Sequence, residues 1–330
     1  MTQRHPFVAG VGAAVEDLGV SGRVLVACSG GGDSLALLRA CVELRDDGTD
    51  LTPIAAHFDH RQRPDSPADA AHVAEHARRW DCEVLSGQHA GGPGASEAVL
   101  RTARYGWIAE AANRRSAGFV LTGHTADDQA ETVLLRIVRG TGVAGLTGIP
   151  ALGPLPGSPG GQTAGPLVAR PMLGLSGDAA RDFLTECGVA WRDDPTNATA
   201  AYARNRLRLD VLPRLEELNP RVREAVGRLA AAARDEAAAT AGLADAVLSD
   251  AVLAQEAQRM TLRAEPLLRL PEPARRAALR RAWRRASWPE RRMGRTDWER
   301  LAALTPGDAA ICLPHGVRAR YAGSALHLDR

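Results

Sequence analysis

Six residues, Ser29-Gly30-Gly31-Gly32-Asp33-Ser34, follow directly on the apolar run Val24-Leu25-Val26-Ala27-Cys28 and lead into Leu35, Ala36, Leu37 and Leu38. A buried strand that breaks into a glycine-rich turn and resumes as an apolar helix predicts an α/β unit. It also predicts a phosphate cradle. Successive backbone N–H groups and the positive helix end converge on one point, and glycines let the backbone approach a ligand closely. The turn lacks the Gly-Lys-Ser/Thr ending of a Walker loop. The chain in fact contains no lysine, so all 41 of its Lys+Arg positions are arginine.

Strand and helix patterns alternate beyond the turn. Apolar runs at 24–28, 52–58, 82–86 and 118–122 read as strands, and 34–44, 68–80, 97–114 and 126–139 as helices. This alternation predicts an α/β fold, a doubly wound parallel sheet covered on both faces, with ligands outside the carboxyl ends of the strands. Polar clusters fall at that edge after Cys28, Phe58 and Thr122. Residues 151–166, rich in Gly and Pro, read as a mobile loop inserted in this domain. A helix follows around 178–187, and the character changes after Pro213. Ala-rich helices run through 221–254, another lies near 272–287, and the tail 309–328 alternates like short strands. The expected division is therefore a 1–215 domain and a smaller, mainly helical 216–330 domain.

A formal net charge of +2 conceals an asymmetry. Residues 1–199 carry 17 Arg against 23 Asp and Glu, whereas 200–330 carry 24 against 16. The basic half suggests a polyanion such as nucleic acid, although a basic helical domain also serves solubility alone. Cys28, Cys41, Cys82, Cys187 and Cys312 form no C-x-x-C pair, which argues against a disulfide framework or a zinc site and fits a reducing compartment. No apolar run is long enough to span a bilayer, and the first twenty residues carry Glu16 and Asp17 without a signal-peptide pattern. A cytoplasmic protein with no membrane partner is the expectation.

The hexad resembles the Ser-Gly-Gly-x-Asp-Ser loop of pyrophosphate-loop enzymes, which cleave ATP, release pyrophosphate and leave AMP on the substrate. Further motifs follow in order: His57-Phe58-Asp59-His60-x-x-Arg63, Glu97 with Ala103-Arg104-Tyr105, and Gly123-His124-Thr125-Ala126-Asp127-Asp128-Gln129-Ala130-Glu131-Thr132. Arg139-Gly140-x-Gly142-x-x-Gly145-Leu146-x-Gly148, Arg170-Pro171, Asp193-Asp194-Pro195-Thr196-Asn197 and Arg204-Asn205-Arg206 complete the set. Together they closely resemble the tRNA(Ile)-lysidine synthetase family over 20–215. The resemblance is weaker over 216–330, where Trp298 and Leu313-Pro314-His315-Gly316 look like the end of that family's substrate-binding domain. The resemblance implies an N-type ATP pyrophosphatase fold with ATP and Mg2+ as cofactors. It also implies modification of the wobble cytidine in the isoleucine tRNA with a CAU anticodon. ATP adenylates the base at its carbon-2 oxygen, pyrophosphate leaves, and the amine of L-lysine displaces AMP. The related fold often dimerises, which makes a homodimer an expectation.

Within that resemblance each residue type has a chemical reason. Ser29, Gly30, Gly31, Gly32, Asp33 and Ser34 would hold the departing pyrophosphate. Asp33 is the expected magnesium ligand, since a carboxylate inside a phosphate cradle is repulsive unless a cation bridges it; the plain alternative is that Asp33, or Ser34, caps the following helix. Asp127, Asp128 and Glu131 would take magnesium, chiefly at Asp128, or the ammonium of lysine, and one would accept a proton from the amine. Carboxylates at a helix start are otherwise ordinary dipole partners. His124 and Arg104 would donate to the α-phosphate, Arg104 bidentately. His57 and Asp59 end the second strand, where nucleosides lie in doubly wound sheets. Arg139, Arg204, Arg206 and Arg208 suit contacts near an anticodon, with a salt-bridged surface to Asp193, Asp194 and Glu216 as the alternative. Arg276, Arg280 and Arg284 share a helix face with almost no counter-charge in the local sequence, which reads as a tRNA-backbone surface.

Two competing functions fit the same loop. A tRNA thiolase normally calls for a nucleophilic or cluster-binding cysteine pair, and none is spaced for it; a glutamine-fed synthetase would need an amidotransferase portion. A non-catalytic RNA-binding protein with structural ATP would not require four carboxylates near phosphates.

Overall fold

A computed structural model of the chain describes residues 4–62, 66–91, 94–156, 165–192 and 203–330. Arg63, the 193–197 motif and residues 157–164 of the 151–166 stretch lie outside the described residues. Contacts divide the chain into two compact units, Met1–Ala231 and Ala232–Arg330.

The first unit begins α1 (Pro6–Asp17), β1 (Gly22–Ala27), α2 (Gly32–Asp46), β2 (Leu51–Asp59), α3 (Ser66–Arg79) and β3 (Glu83–Gln88). It continues α4 (Glu97–Arg114), β4 (Phe119–Thr122), α5 (Ala126–Val138), α6 (Val143–Leu146), β5 (Leu152–Pro154), β6 (Leu167–Ala169) and α7 (Gly177–Glu186). A short α8 (Ala203–Arg206), a π-helical turn (Leu207–Val211) and α9 (Leu212–Leu218) follow. The sheet order is β3-β2-β1-β4-β6-β5. All pairs are parallel except β5 with β6. Leu152–Pro154 thus forms an edge strand, where the sequence reads only loop.

Period-2 alternation sorts the strand side chains between two cores. Val24, Val26, Ala55 and Leu121 pack with Phe7, Leu37, Cys41 and Phe183 from α1, α2 and α7. Leu25, Ile54, Val120 and Val168 pack with Tyr105, Ile108 and Ala112 of α4 on the opposite face. The sheet is doubly wound, as the sequence predicts. Strand order runs outward in both directions from β1, so the carboxyl ends of β1 and β4 flank the topological switch, where such sheets leave a crevice.

The second unit is mainly helical, as expected, and adds a sheet that the sequence reading only partly foresees. After α10 (Val222–Ala251), a single 30-residue helix, come β7 (Val252–Gln255), β8 (Arg259–Arg263), α11 (Ala264–Leu268), α12 (Glu272–Arg285) and α13 (Arg295–Ala303). The chain ends in β9 (Ile311–Cys312), β10 (Arg318–Ala322) and β11 (Ala325–Asp329). These strands form a five-stranded antiparallel sheet ordered β7-β8-β11-β10-β9. Two of its strands lie beyond the reach of periodicity. Val252–Gln255 continues the composition of the helix before it, and β8 offers one turn of alternation, Met260 and Leu262 inward.

Three tryptophans anchor this core. Trp283 lies edge-on to Trp288 and Trp298 at ring separations of 5.0 and 5.4 Å. The indole N–H of Trp288 donates to the carbonyl of Ala257 at 2.8 Å, tying the β7–β8 turn to the segment that follows α12. Trp283 is fully buried. Trp283→Ala should cost about 3–5 kcal/mol, read as a lower urea midpoint for the tryptophan-fluorescence transition; a loss under about 1 kcal/mol would mean that the cluster is not the keystone of the sheet.

Candidate active site

The turn after β1 is built by its own hydroxyls. Ser34 Oγ donates to the carbonyl of Gly31 at 2.9 Å and accepts the backbone N–H of Ser29 at 3.1 Å. Ser29 Oγ lies 3.2 Å from the same oxygen. Gly30 has φ +93°, which an L side chain rarely adopts. Gly31 is the N-cap of α2 and supplies no side-chain hydrogen bond. Neither Asp33 nor Ser34 caps this helix, so its first amides remain free to receive an anion. Gly123, at the end of β4, closes the other wall. A Cβ there would lie 2.9 Å from the carbonyl oxygen of Asp33.

Asp33 is the unusual group. Its Oδ1 is buried without a hydrogen-bond partner among the described residues. Desolvation first, and then the charges of Asp128 and Asp127, push its pKa up to about 6, against the pull of Arg181 and Arg208. An orphaned carboxylate oxygen beside free helix amides fits a cation carried in with an anion. Among the described residues no group of three or more His, Cys, Asp or Glu side chains is placed to hold an ion. A magnesium ion held by Asp33 would therefore be completed by phosphate oxygens and water, its usual habit in nucleotide sites.

The second acidic group is neutralised internally. Glu131 is fully buried and receives Arg204 Nε at 2.6 Å on one oxygen and Arg208 Nε at 2.5 Å on the other. Asp128 closes a capping box on α5, accepting the N–H of Thr125 at 2.9 Å, while its other oxygen takes Arg204 at 2.6 Å. Asp127 accepts the N–H of Gly177 at 2.7 Å and pairs with Arg223 at 2.8 Å. Arg223 also reaches Glu216 at 2.6 Å. Arg204 and Arg208, expected to face nucleic acid, are thus ion-paired to the α5 carboxylates rather than to Glu216. Arg206 is exposed with no ion pair among the described residues, and Arg139 caps the exposed end of α5.

His124 follows β4 and shares a 2.8 Å hydrogen bond between its Nδ1 and the Thr122 hydroxyl. Burial above all lowers its pKa to about 4; Asp128 opposes the shift, and Arg170, Arg204 and Arg104 reinforce it. It is a neutral imidazole at pH 7 and can offer one N–H. His57 Nδ1 lies 2.9 Å from the carbonyl of Cys28 and must donate to it, while its Nε2 is buried and has no partner among the described residues. Asp59 turns its carboxylate back on the N–H of Arg61 at 2.7 Å. Arg104 has no ion pair among the described residues and lies against the Tyr105 ring at 5.0 Å.

Several participants carried no signal in the sequence. Arg223 and Gly177 hold Asp127 from far along the chain. Gln129, almost fully buried, brackets Ile149 with bonds to its N–H and carbonyl, and Arg136 ties the carbonyls of Gly145 and Gly148 at 2.9 Å. These two fix the glycine motif that follows α5. In the second unit the expected unpaired arginine face is corrected. Arg280 and Arg284 both pair with Glu290, and Arg276 pairs with Glu272 at 2.7 Å. The counter-charges come from the turn after α12 and from its first turn, so local charge counting misjudged that face.

A family model described as the PP-loop domain matches residues 7–215. The chain is 37% identical to the tRNA(Ile)-lysidine synthase of Thermus thermophilus over 92% of its own length and 56% of that protein's. It is 37% identical to the namesake in Streptomyces coelicolor over 92% of this chain and 84% of that one, and 40% identical to that of Salinispora tropica over 73% and 74%. It thus spans little more than half the length of some curated relatives and most of others. Among solved structures, the U34-tRNA thiolase NcsA from Methanococcus maripaludis, with its [4Fe-4S] cluster, shares the fold at a TM-score of 0.55 and 16% identity, over 68% of this chain and 78% of that one. With an anion cradle at the β1–β4 switch and a relative matched over 92% of this chain and 84% of its own length, the chain belongs to the PP-loop family and, within it, to the tRNA(Ile)-lysidine synthases.

Proposed function

We propose that the chain joins L-lysine to carbon 2 of the wobble cytidine of the isoleucine tRNA with a CAU anticodon, through an adenylated base. One observation carries the reading: an uncompensated carboxylate, Asp33, beside the free amides of α2. The α2 amides and Ser29–Ser34 backbone would cradle the β- and γ-phosphates of ATP. Asp33 would hold Mg2+ on them, and the ion would neutralise the charge of the leaving pyrophosphate. Arg104 and the N–H of His124 would donate to the α-phosphate as the carbon-2 oxygen bonds to phosphorus and the bond to pyrophosphate breaks. A lysine amine then bonds to carbon 2, the carbon–oxygen bond breaks, and AMP departs with that oxygen.

Glu131 is excluded from the lysine contact by its two arginines, so the ammonium is assigned to Asp128 and Asp127, where it competes with Arg204 and Arg223. One of these carboxylates takes the proton of the attacking amine. Residues 1–215 would carry this chemistry and 216–330 the remaining tRNA contacts, with Arg139 and Arg206 the more exposed cations of the first part. The paired Arg276, Arg280 and Arg284 would contribute less than free arginines, because a phosphate must displace a carboxylate first.

The thiolase alternative calls for a cysteine pair, and none is spaced for it. Burial pushes the Cys28 thiol up to about 11 and the Cys41 thiol to about 12, and all five cysteines are free. Pyrophosphate release should turn over repeatedly only when ATP, the CAU isoleucine tRNA and L-lysine are all present. Release that needs a sulfur donor in place of lysine would defeat the proposal.

A further inference from the structure

Among the described residues Arg170 is a buried cation without a paired anion. It follows β6 at the carboxyl edge of the sheet and is 8% exposed. One terminal nitrogen donates to the carbonyl of Pro150 at 2.8 Å, and its Nε is buried with no partner. Among the described residues no carboxylate pairs with it. The neighbouring α4 adds Arg101 and Arg104, each 5.0 Å from the ring of Tyr105 and neither in an ion pair among the described residues. Desolvation first, then Arg101, lowers the pKa of Arg170, with Tyr105 opposing; Arg170 and Arg104 both act on His124. Arg101, Arg104, Arg170 and His124 thus share one field. Arg181, Arg192, Arg204, Arg208 and Arg223 each pair with a carboxylate, whereas among the described residues Arg101, Arg104 and Arg170 do not.

Its place in the sheet says which anion it suits. Ala27 of β1 pairs with Thr122 of β4, and Leu121 pairs with Ala169 of β6. Arg170 therefore stands two strands from the cradle, about 10 Å across the sheet edge. The triphosphate belongs at β1 and its α-phosphate beside His124. Arg170 stands one strand farther out, which leaves room for a second phosphate from another molecule.

We propose that Arg101 and Arg170, continuous with Arg104, receive a backbone phosphodiester of the RNA strand that carries the target base. The inference rests on the RNA substrate argued above and names a set of contacts for it. The desolvation cost of Arg170 is already met in the folded protein, so a phosphate arriving there gains a charge-assisted pair without ordering a flexible side chain.

The test measures binding of a CAU-anticodon stem-loop RNA at several salt concentrations, beside binding of ATP with Mg2+, for wild type, Arg101→Ala and Arg170→Gln. Arg101 is exposed, so its variant keeps the proposal falsifiable if Arg170→Gln fails to fold. Each variant should bind the RNA about tenfold more weakly. Each should also lower the slope of log affinity against log salt by roughly 0.7–1, with ATP affinity unchanged. An unchanged slope beside an RNA-binding wild type overturns this assignment alone. A loss of ATP affinity with intact RNA binding overturns it in favour of the triphosphate. A wild type that binds no RNA overturns the tRNA reading itself, and this one with it.

Discussion

Asp33→Asn should release pyrophosphate roughly a thousandfold more slowly than wild type, since several kcal/mol of cation-mediated charge stabilisation are lost, and yet it should melt at a higher temperature. The two effects share a cause. The folded-state pKa of Asp33 is raised to about 6 from an unfolded value of 3.8, so ionisation of this carboxylate opposes folding. Above pH 6 the full cost is present; as pH falls through 6 toward 4 it disappears. Linkage puts an upper bound of about 3 kcal/mol on a shift of that size, and partial solvent access reduces it to about 1–2 kcal/mol. That is roughly 2–8 °C in melting temperature for a unit of this size. Thermal melts without nucleotide or metal should show the variant ahead at about pH 7.5 and level with wild type at about pH 4.5. An equal gap at both values would mean that packing, not charge, separates them.

Glu131→Ala should destabilise the first unit by about 1–3 kcal/mol, because it empties a fully buried position and leaves two half-exposed guanidinium groups to share Asp128. Glu131→Gln should recover part of that through its size and one accepting oxygen. Urea denaturation monitored at α5 and the π-helical turn would measure it, and a double-mutant cycle with Arg208→Met isolates the pair energy. A loss under 1 kcal/mol would show that Asp128 alone satisfies both arginines. A catalytic carboxylate would behave differently: its removal would stop turnover and leave the urea midpoint nearly in place.

That contrast marks where the sequence is informative and where it is not. Strand-turn-helix over Val24–Leu38 is legible because a buried strand, three glycines and an apolar helix are local signals, and α4 reads from Glu97 to Arg114 for the same reason. Asp33 stands out because its setting is written within six residues. Glu131 looked like one more carboxylate in a row of three. What it does is decided by Arg204 and Arg208, more than seventy positions later, and no periodicity links them. Charge patterning failed on α12 for a related reason: Glu290 lies past the helix end, and Asp245, which pairs with Arg281 and Arg285, lies on another helix. The short strands β5, β7 and β8 owe their conformation to partners across a sheet rather than to their own residues.

The contact of Gly123 with the carbonyl of Asp33 ties two distant stretches of chain into a single design constraint. A methyl group at the end of β4 would push on the very peptide that begins α2, so the smallest residue there is a condition for chemistry occurring elsewhere. Anyone grafting this nucleotide turn onto another scaffold would have to transplant both segments, with their spacing, as one inseparable part.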